Sequence, residues 1–291
     1  MPVYDRRYRG WDGERRPSRW LFLSLTRFGI AEVFSSKLLL VLFVASCLPF
    51  LVFGSGIYLL NNADFLKLVQ GDVSQLAEWL GGRLFFWFLV TQALLAFVVV
   101  SFTGPNLVGP DLVHGAMPLY LSRPISRADY VLGKLAVLLA LLSAITWLPG
   151  LLLAGLQASL APEGWLAAHW QIPVGLFLGS WIWILVLSLL ALAISAWIRW
   201  RPLATSALFI VIVVGAAFGT AIDEMLDTRW GKLLNLTEMT STIWIALFGD
   251  AVKVVDDEAL PLAACWLGLA AACAVALAIL HRKIRAYEVV R

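Results

Sequence analysis

Residues Leu84–Phe102, LFFWFLVTQALLAFVVVSF, contain no Asp, Glu, Lys, Arg or His. As a helix rising about 1.5 Å per residue, a run of this length nearly crosses the roughly 30 Å of bilayer hydrocarbon. A helix apolar on every side belongs in a protein core or in lipid. Five further runs share the pattern: Leu38–Leu60, Leu135–Gln157, Ile172–Ile198, Leu203–Ile222 and Pro261–Leu280. None carries any of those five residue types, and one such charge at mid-bilayer costs about 2.5–3.5 kcal/mol on insertion scales. The chain therefore reads as an all-α polytopic membrane protein with six transmembrane helices. Its composition agrees: 61% of residues are hydrophobic and 14% charged, with a mean hydropathy of +0.85. Soluble domains are about half apolar and about a quarter charged.

Six spans put both termini on one side, and the 22 Lys and Arg residues say which. All but Lys67, Arg83, Arg229, Lys232 and Lys253 fall in the N-terminal segment, the second and fourth connections, or the tail. The positive-inside rule predicts that this basic side is cytoplasmic. It suits anionic lipid headgroups, and no soluble domain carries charge toward nucleic acid. Residues 1–37 read as a basic cytoplasmic segment, 38–280 as the six-span domain, and 281–291 as a cytoplasmic tail. Within the first segment, Ser18–Lys37 predicts a helix lying at the inner interface. Leu21, Leu25 and Phe28 share one face, Leu23, Ile30 and Phe34 another, and Arg19, Arg27 and Lys37 can snorkel. The Arg-rich start reads as a flank and not a cleavable signal peptide, because the first apolar run is as long as a full span.

Pro49 and Pro149 fall inside the first and third spans and are expected to kink them. The outer connection from Asp223 to Leu260 is acidic. Leu226, Trp230 and Leu233 within it predict one helical face. Thr242–Phe248, TIWIALF, is too short to cross and predicts a helix that re-enters the outer leaflet or packs on the bundle. Asn235-Leu236-Thr237 is a formal glycosylation triplet.

The chain lacks the residues of a motor or a catalyst. In the nearest approach to a phosphate-binding loop, Gly133-Lys134, Ala128 stands at the first glycine position and Leu135 at the hydroxyl position. His114, His169 and His281 lie in separate segments without neighbouring ligands, and Cys47, Cys265 and Cys273 read as small apolar packers inside spans. Thr91 and Gln92 are the best intramembrane polar groups, suited to line a passage or, more simply, to bond between helices.

A chain that does vectorial work without its own energy source must receive force through an aqueous surface. The second connection, GPDLVHGAMPLYLSRPISRADYVLGK over Gly109–Lys134, is the candidate. Pro110-Asp111 can open a short helix, since proline suits the first turn and an acid complements the dipole. Pro118 is expected to end it. Arg123-Pro124 forces an extended residue, and Ser126-Arg-Ala-Asp129 fits a capping box that starts the third span near Arg127.

This connection resembles that of the permease subunits of type-2 ABC transporters. Their pattern is an acidic residue, a small pair, L-x-x-P-[IL]-S-R and then G-K. Here these are Asp111, Gly115-Ala116, Leu121, Pro124-Ile125-Ser126-Arg127 and Gly133-Lys134. The layout of an interfacial helix, six spans and a long outer connection is similar too. His114, where a basic Arg often stands, and Pro118 depart from the pattern.

The resemblance implies a bacterial inner-membrane exporter subunit that pairs with a second permease chain, identical or not, to enclose a passage. It implies a cytoplasmic coupling helix within Asp111–Arg127 that docks on a separate ABC ATPase subunit, where ATP and Mg would bind. This chain itself would need no cofactor, hold no metal and be no enzyme. The residues expected to meet the ATPase are Asp111, His114, Gly115, Arg123, Pro124, Ser126, Arg127 and Lys134. Two other readings are a scaffold that anchors an ATPase complex without moving cargo, and a membrane-embedded enzyme, which lacks a nucleophile and metal ligands.

Overall fold

A computed structural model describes residues 21–62, 82–116, 126–198, 200–252 and 260–285. Helix α1 covers Leu21–Ser35. The first span is broken into α2 (Lys37–Ala45) and α3 (Leu48–Leu60). The second is α4 (Leu84–Thr103), continued by a 3-10 turn and the short α5 (Gly109–Val113). The third is α6 (Arg127–Ile145) and α7 (Trp147–Leu160). A single turn, α8 (Trp165–Ala168), leads to the fourth span, α9 (Gln171–Trp197). The fifth joins α10 (Arg201–Phe209) to α11 (Gly215–Leu226) through a π-helical stretch. Helix α12 (Leu236–Phe248) precedes the sixth span, α13 (Leu262–Arg285). Six helical stretches are long and apolar enough to cross a membrane, and no strand occurs among the described residues. The protein is an all-α polytopic membrane protein.

The second and fourth spans form the core: 67% and 61% of their apolar windows are buried, against 11%, 17% and 17% for the first, fifth and sixth. Helix α9 can be central because small residues let its neighbours approach closely. A Cβ on Gly179 would stand 2.8 Å from Cδ1 of Trp244, and one on Gly175 2.9 Å from Cδ2 of Phe248. The two glycines, one turn apart, form a groove for α12, and the Trp244 indole N–H donates to the Gly179 carbonyl at 2.9 Å. Leu236, Met239, Thr240, Ile243, Trp244 and Phe248 are all buried on that side. Helix α12 thus packs on the bundle. It is capped by Asn235, whose side-chain oxygen accepts from the N–H groups of Thr237 and Glu238 at 3.1 Å.

Both expected proline kinks are helix breaks, and they are built alike. Pro49 and Pro149 cannot donate to the carbonyls four residues back, and helix regularity fails three residues before each, at Ser46-Cys47 and at Thr146. In both places a hydroxyl bonds back to its own helix: Ser46 to the Leu42 carbonyl and Thr146 to the Leu142 carbonyl, each at 2.7 Å.

Two expectations need correction. The Leu226–Trp230–Leu233 face does not form, because Asp227 takes a left-handed conformation (φ 48°) that ends α11. The Asp223 carboxylate then accepts from the Gly231 N–H at 2.6 Å, turning the chain back through a 3-10 turn at Trp230–Leu234. Close approach of Gly219 and Gly231 permits this return, since a Cβ on either would collide with the other's carbonyl. Helix α1 buries Thr26, Gly29 and Val33, with Leu25 and Ile30 half-buried, while Phe28 is exposed. Leu23 and Phe34 are exposed with it. Finally, Ser36 interrupts the helix, so Lys37 opens the first span and α1 does not reach it; residues 18–20 of the expected helix lie outside the described ones.

Gly179→Ile is expected to destabilise the protein by about 1–3 kcal/mol, because the Trp244 ring has no free space to retreat into. A thermal melt in detergent would show the lowered transition.

Candidate functional site

The connection between the second and third spans is built from residues that bend the chain and then pin it. After Thr103, Pro105 enters a 3-10 turn and Pro110 enters the first turn of α5, where a missing N–H costs nothing. Helix α5 ends early. Gly115 adopts φ +62°, the His114 N–H donates to the Pro110 carbonyl at 2.9 Å, and the Ala116 N–H reaches the Asp111 carbonyl at 2.9 Å. That six-to-one bond beside a left-handed glycine is a Schellman ending. Gly115, and not Pro118, therefore terminates the helix.

One face of α5 is anchored at two points. The Asp111 carboxylate lies 2.8 Å from the Lys134 ammonium, with side chains only 17% and 8% exposed. The Tyr130 hydroxyl donates to the same carboxylate oxygen at 2.7 Å, and the Lys134 ammonium stands 5.6 Å from the Tyr130 ring centroid. Tyr130 and Lys134 are one turn apart on α6, which is why a single carboxylate collects both. At the other anchor, Ser195 of α9 accepts from the Gly109 N–H at 2.9 Å, and its hydroxyl points to the Pro105 carbonyl at 3.3 Å. Leu107, Val108 and Leu112 are buried between these points. The second connection is thereby fixed to the third and fourth spans at once.

Helix α1 joins the same assembly. The Thr26 hydroxyl is 2.9 Å from the Phe22 carbonyl and 3.2 Å from the Gly133 carbonyl. A Cβ on Gly133 would stand 2.9 Å from Leu25 Cβ. Ser126 caps α6 in a full capping box: it accepts from the Asp129 N–H at 3.1 Å, while the Asp129 carboxylate takes the Ser126 N–H at 3.1 Å.

The sequence-predicted residues thus separate into groups. Asp111 and Lys134 meet each other inside the fold. Ser126 is a cap, and Arg127 is half-buried. His114 and Gly115 are exposed at the tip with Val113, and the His114 ring nitrogen Nδ1 lies 3.1 Å from the Pro110 carbonyl. Arg123 and Pro124 lie outside the described residues. Thr91 bonds within its own helix to the Trp87 carbonyl at 2.8 Å. Gln92 is fully buried and donates to the Ser46 carbonyl at 3.1 Å, at the break in the first span. Sequence reasoning missed Tyr130 and Ser195. The spacing of Tyr130 and Lys134 was available as a signal; nothing marked Ser195 among the serines of its span.

Among the described residues, no three His, Cys, Asp or Glu side chains gather as a metal site would require. At the acidic end of the bundle, a cavity of about 900 Å³ is lined by Asp223, Glu224, Asp227, Arg229, Trp230 and Lys232, among others. The fold and this pinned connection define an integral, multi-pass membrane protein. Comparison with protein-family models and with curated proteins finds no match.

Lys134→Met is expected to cost about 1–3 kcal/mol, because it leaves a largely enclosed carboxylate with only the Tyr130 hydroxyl as partner. The double variant Asp111→Asn, Lys134→Met is expected to recover most of that loss. Thermal melts of the three purified proteins would measure both effects.

Proposed function

We propose that this chain is the membrane-spanning subunit of an ATP-driven exporter of the type-2 ABC class, working with a separate ATPase subunit and a second permease chain. The observation that carries this reading is the mechanical form of the second connection. Helix α5 offers Val113 and His114 to solvent on one side. On the other it is tied by an ion pair and a hydrogen bond to two different spans. A push on that tip would pass directly into the third and fourth spans. On this reading, ATP and Mg sit in the partner, and the basic end with both termini faces the cytoplasm of a bacterial inner membrane. The thinly buried first and fifth spans leave apolar faces for lipid or for the second chain.

The burial of Asp111 and Lys134 changes which residues can test this. Their substitution would disturb the fold, whereas Val113 and His114 are exposed. The tagged chain, isolated in mild detergent from its own host's membranes, is expected to bring down an ATP-hydrolysing subunit. Val113→Asp with His114→Glu is expected to reduce the recovered ATPase activity roughly tenfold, the scale of an interface hot spot, without lowering the melting temperature. Unchanged recovery would remove the coupling assignment. Vigorous ATP turnover by the purified chain alone would overturn the two-subunit picture.

A further inference from the structure

At the basic end, two adjoining cavities of about 420 and 200 Å³ open between the start of the first span, the end of the second and the start of the fifth. Both are lined by Ser36, Leu39, Asn106 and Arg201. The larger adds apolar walls from Leu38, Phe102 and Pro202 beside the hydroxyl of Ser206. We propose that this paired cavity binds the headgroup of an anionic glycerophospholipid, with Arg201 holding the phosphate and the apolar wall carrying the start of an acyl chain.

Four observations lead there. Arg201 is exposed and forms no ion pair among the described residues, although it lines both cavities. The hydroxyls of Ser36 and Ser206 make no hydrogen bond to protein among the described residues, so both can donate to an anion; the Thr205 hydroxyl is committed to the Ser101 carbonyl at 3.1 Å. The first turns of α2 and α10 border the larger cavity without side-chain caps, and their orientation favours negative charge. The site also lies where two spans begin, at the level of a membrane boundary. Trp197 at the end of α9 and Trp200 immediately before Arg201 are 61% and 68% exposed, and the Lys283 ammonium sits 4.5 Å from the Trp197 ring centroid. Exposed indoles with basic neighbours are what headgroup depth selects. Glu32 borders only the smaller cavity, which directs the phosphate to the larger one.

A polar floor beside an apolar wall fits a lipid better than a free ion, which would leave Leu38 and Phe102 facing water. The test uses the purified full chain in detergent with equimolar dioleoyl phosphatidylglycerol and dioleoyl phosphatidylcholine, with retained lipid read by native mass spectrometry. Wild type is expected to keep phosphatidylglycerol roughly tenfold over phosphatidylcholine, because the choline cation that phosphatidylcholine adds to the same phosphate competes with Arg201 for it and is repelled by the guanidinium. Arg201→Gln is expected to abolish the preference and Arg201→Lys to keep most of it. Ser206→Leu, an exposed position, fills the cavity without touching charge and should also abolish the preference, so the outcome does not hang on how Arg201→Gln folds. Equal retention of the two lipids by wild type would overturn the proposal. So would an equal loss in Arg282→Gln, which would mean diffuse charge, or displacement of the lipid by millimolar inorganic phosphate, which would mean a free-anion site.

Discussion

Hydrocarbon supplies no hydrogen bonds, so every backbone group at membrane depth must be satisfied within the protein. Six helices meet that constraint over most of their length, and the informative places are where helices fail. At Pro49 the ladder is interrupted, and the Ser46 carbonyl takes its bond from the Gln92 side chain of the second span. At Gly179 the ladder is intact, but the carbonyl's second lone pair takes the Trp244 indole. The Trp183 indole does the same for the Ala93 carbonyl at 3.0 Å. Gln92, Trp183 and Trp244 are thus directed at backbone oxygens of neighbouring helices, and they help set which helix lies beside which. Apolar packing alone would leave rotation about each axis weakly specified, since lipid tails are as apolar as leucine.

Much of this was legible in the sequence because the signals are local. A run without charge, a proline within it, and S-x-x-D before it depend on neighbours along the chain. All six spans, both helix breaks and the Ser126 cap follow from such signals. What was not legible depends on distant residues. Lys134 stands at the start of a span and is expected from the resemblance to meet an ATPase subunit, yet it turns inward to pair with Asp111 across the connection. Which side of α1 packs on protein was not legible, because apolarity does not distinguish protein from lipid as the neighbour. Thr26 and Gly29 face the bundle, and Phe28 faces out. In a membrane helix the buried stripe is marked by small and polar residues more than by large apolar ones. The lost helical face near Trp230 has a similar origin. Asp227 and the Gly219–Gly231 contact turn the chain, and periodicity does not register a turn.

The charges of the protein are sorted by role as well as by side. At the acidic end they border an open cavity. At the basic end one pair is withdrawn into the fold, where it fastens the second connection, while Arg201 stays exposed beside a cavity between the ends of three spans. A buried pair is a poor source of net stability, because desolvation offsets most of the attraction. What it does supply is a defined position. Moving Asp111 away from Lys134 without another cation in reach would leave both charges uncompensated, which favours this placement of α5 against α6.

That rigidity contrasts with the first and third spans further along. Helices α3 and α7, the segments beyond the two breaks, pack on each other. At their far ends the Asn61 amide donates to the Gln157 side-chain oxygen at 2.9 Å. Between them, Gly54 allows Leu153 to approach to within 3.4 Å of a notional Cβ. The two distal segments therefore pack on each other as well as on the central α4 and α9, and each follows a break where a proline has removed a ladder hydrogen bond. A bend at either break starts with one ladder hydrogen bond fewer than a bend in α4 or α9. A chain built this way has a stiff centre, a connection pinned to that centre at one end, and a paired segment attached through two breaks at the other. Displacement of the pinned connection would be carried along the stiff helices and absorbed at Ser46 and Thr146.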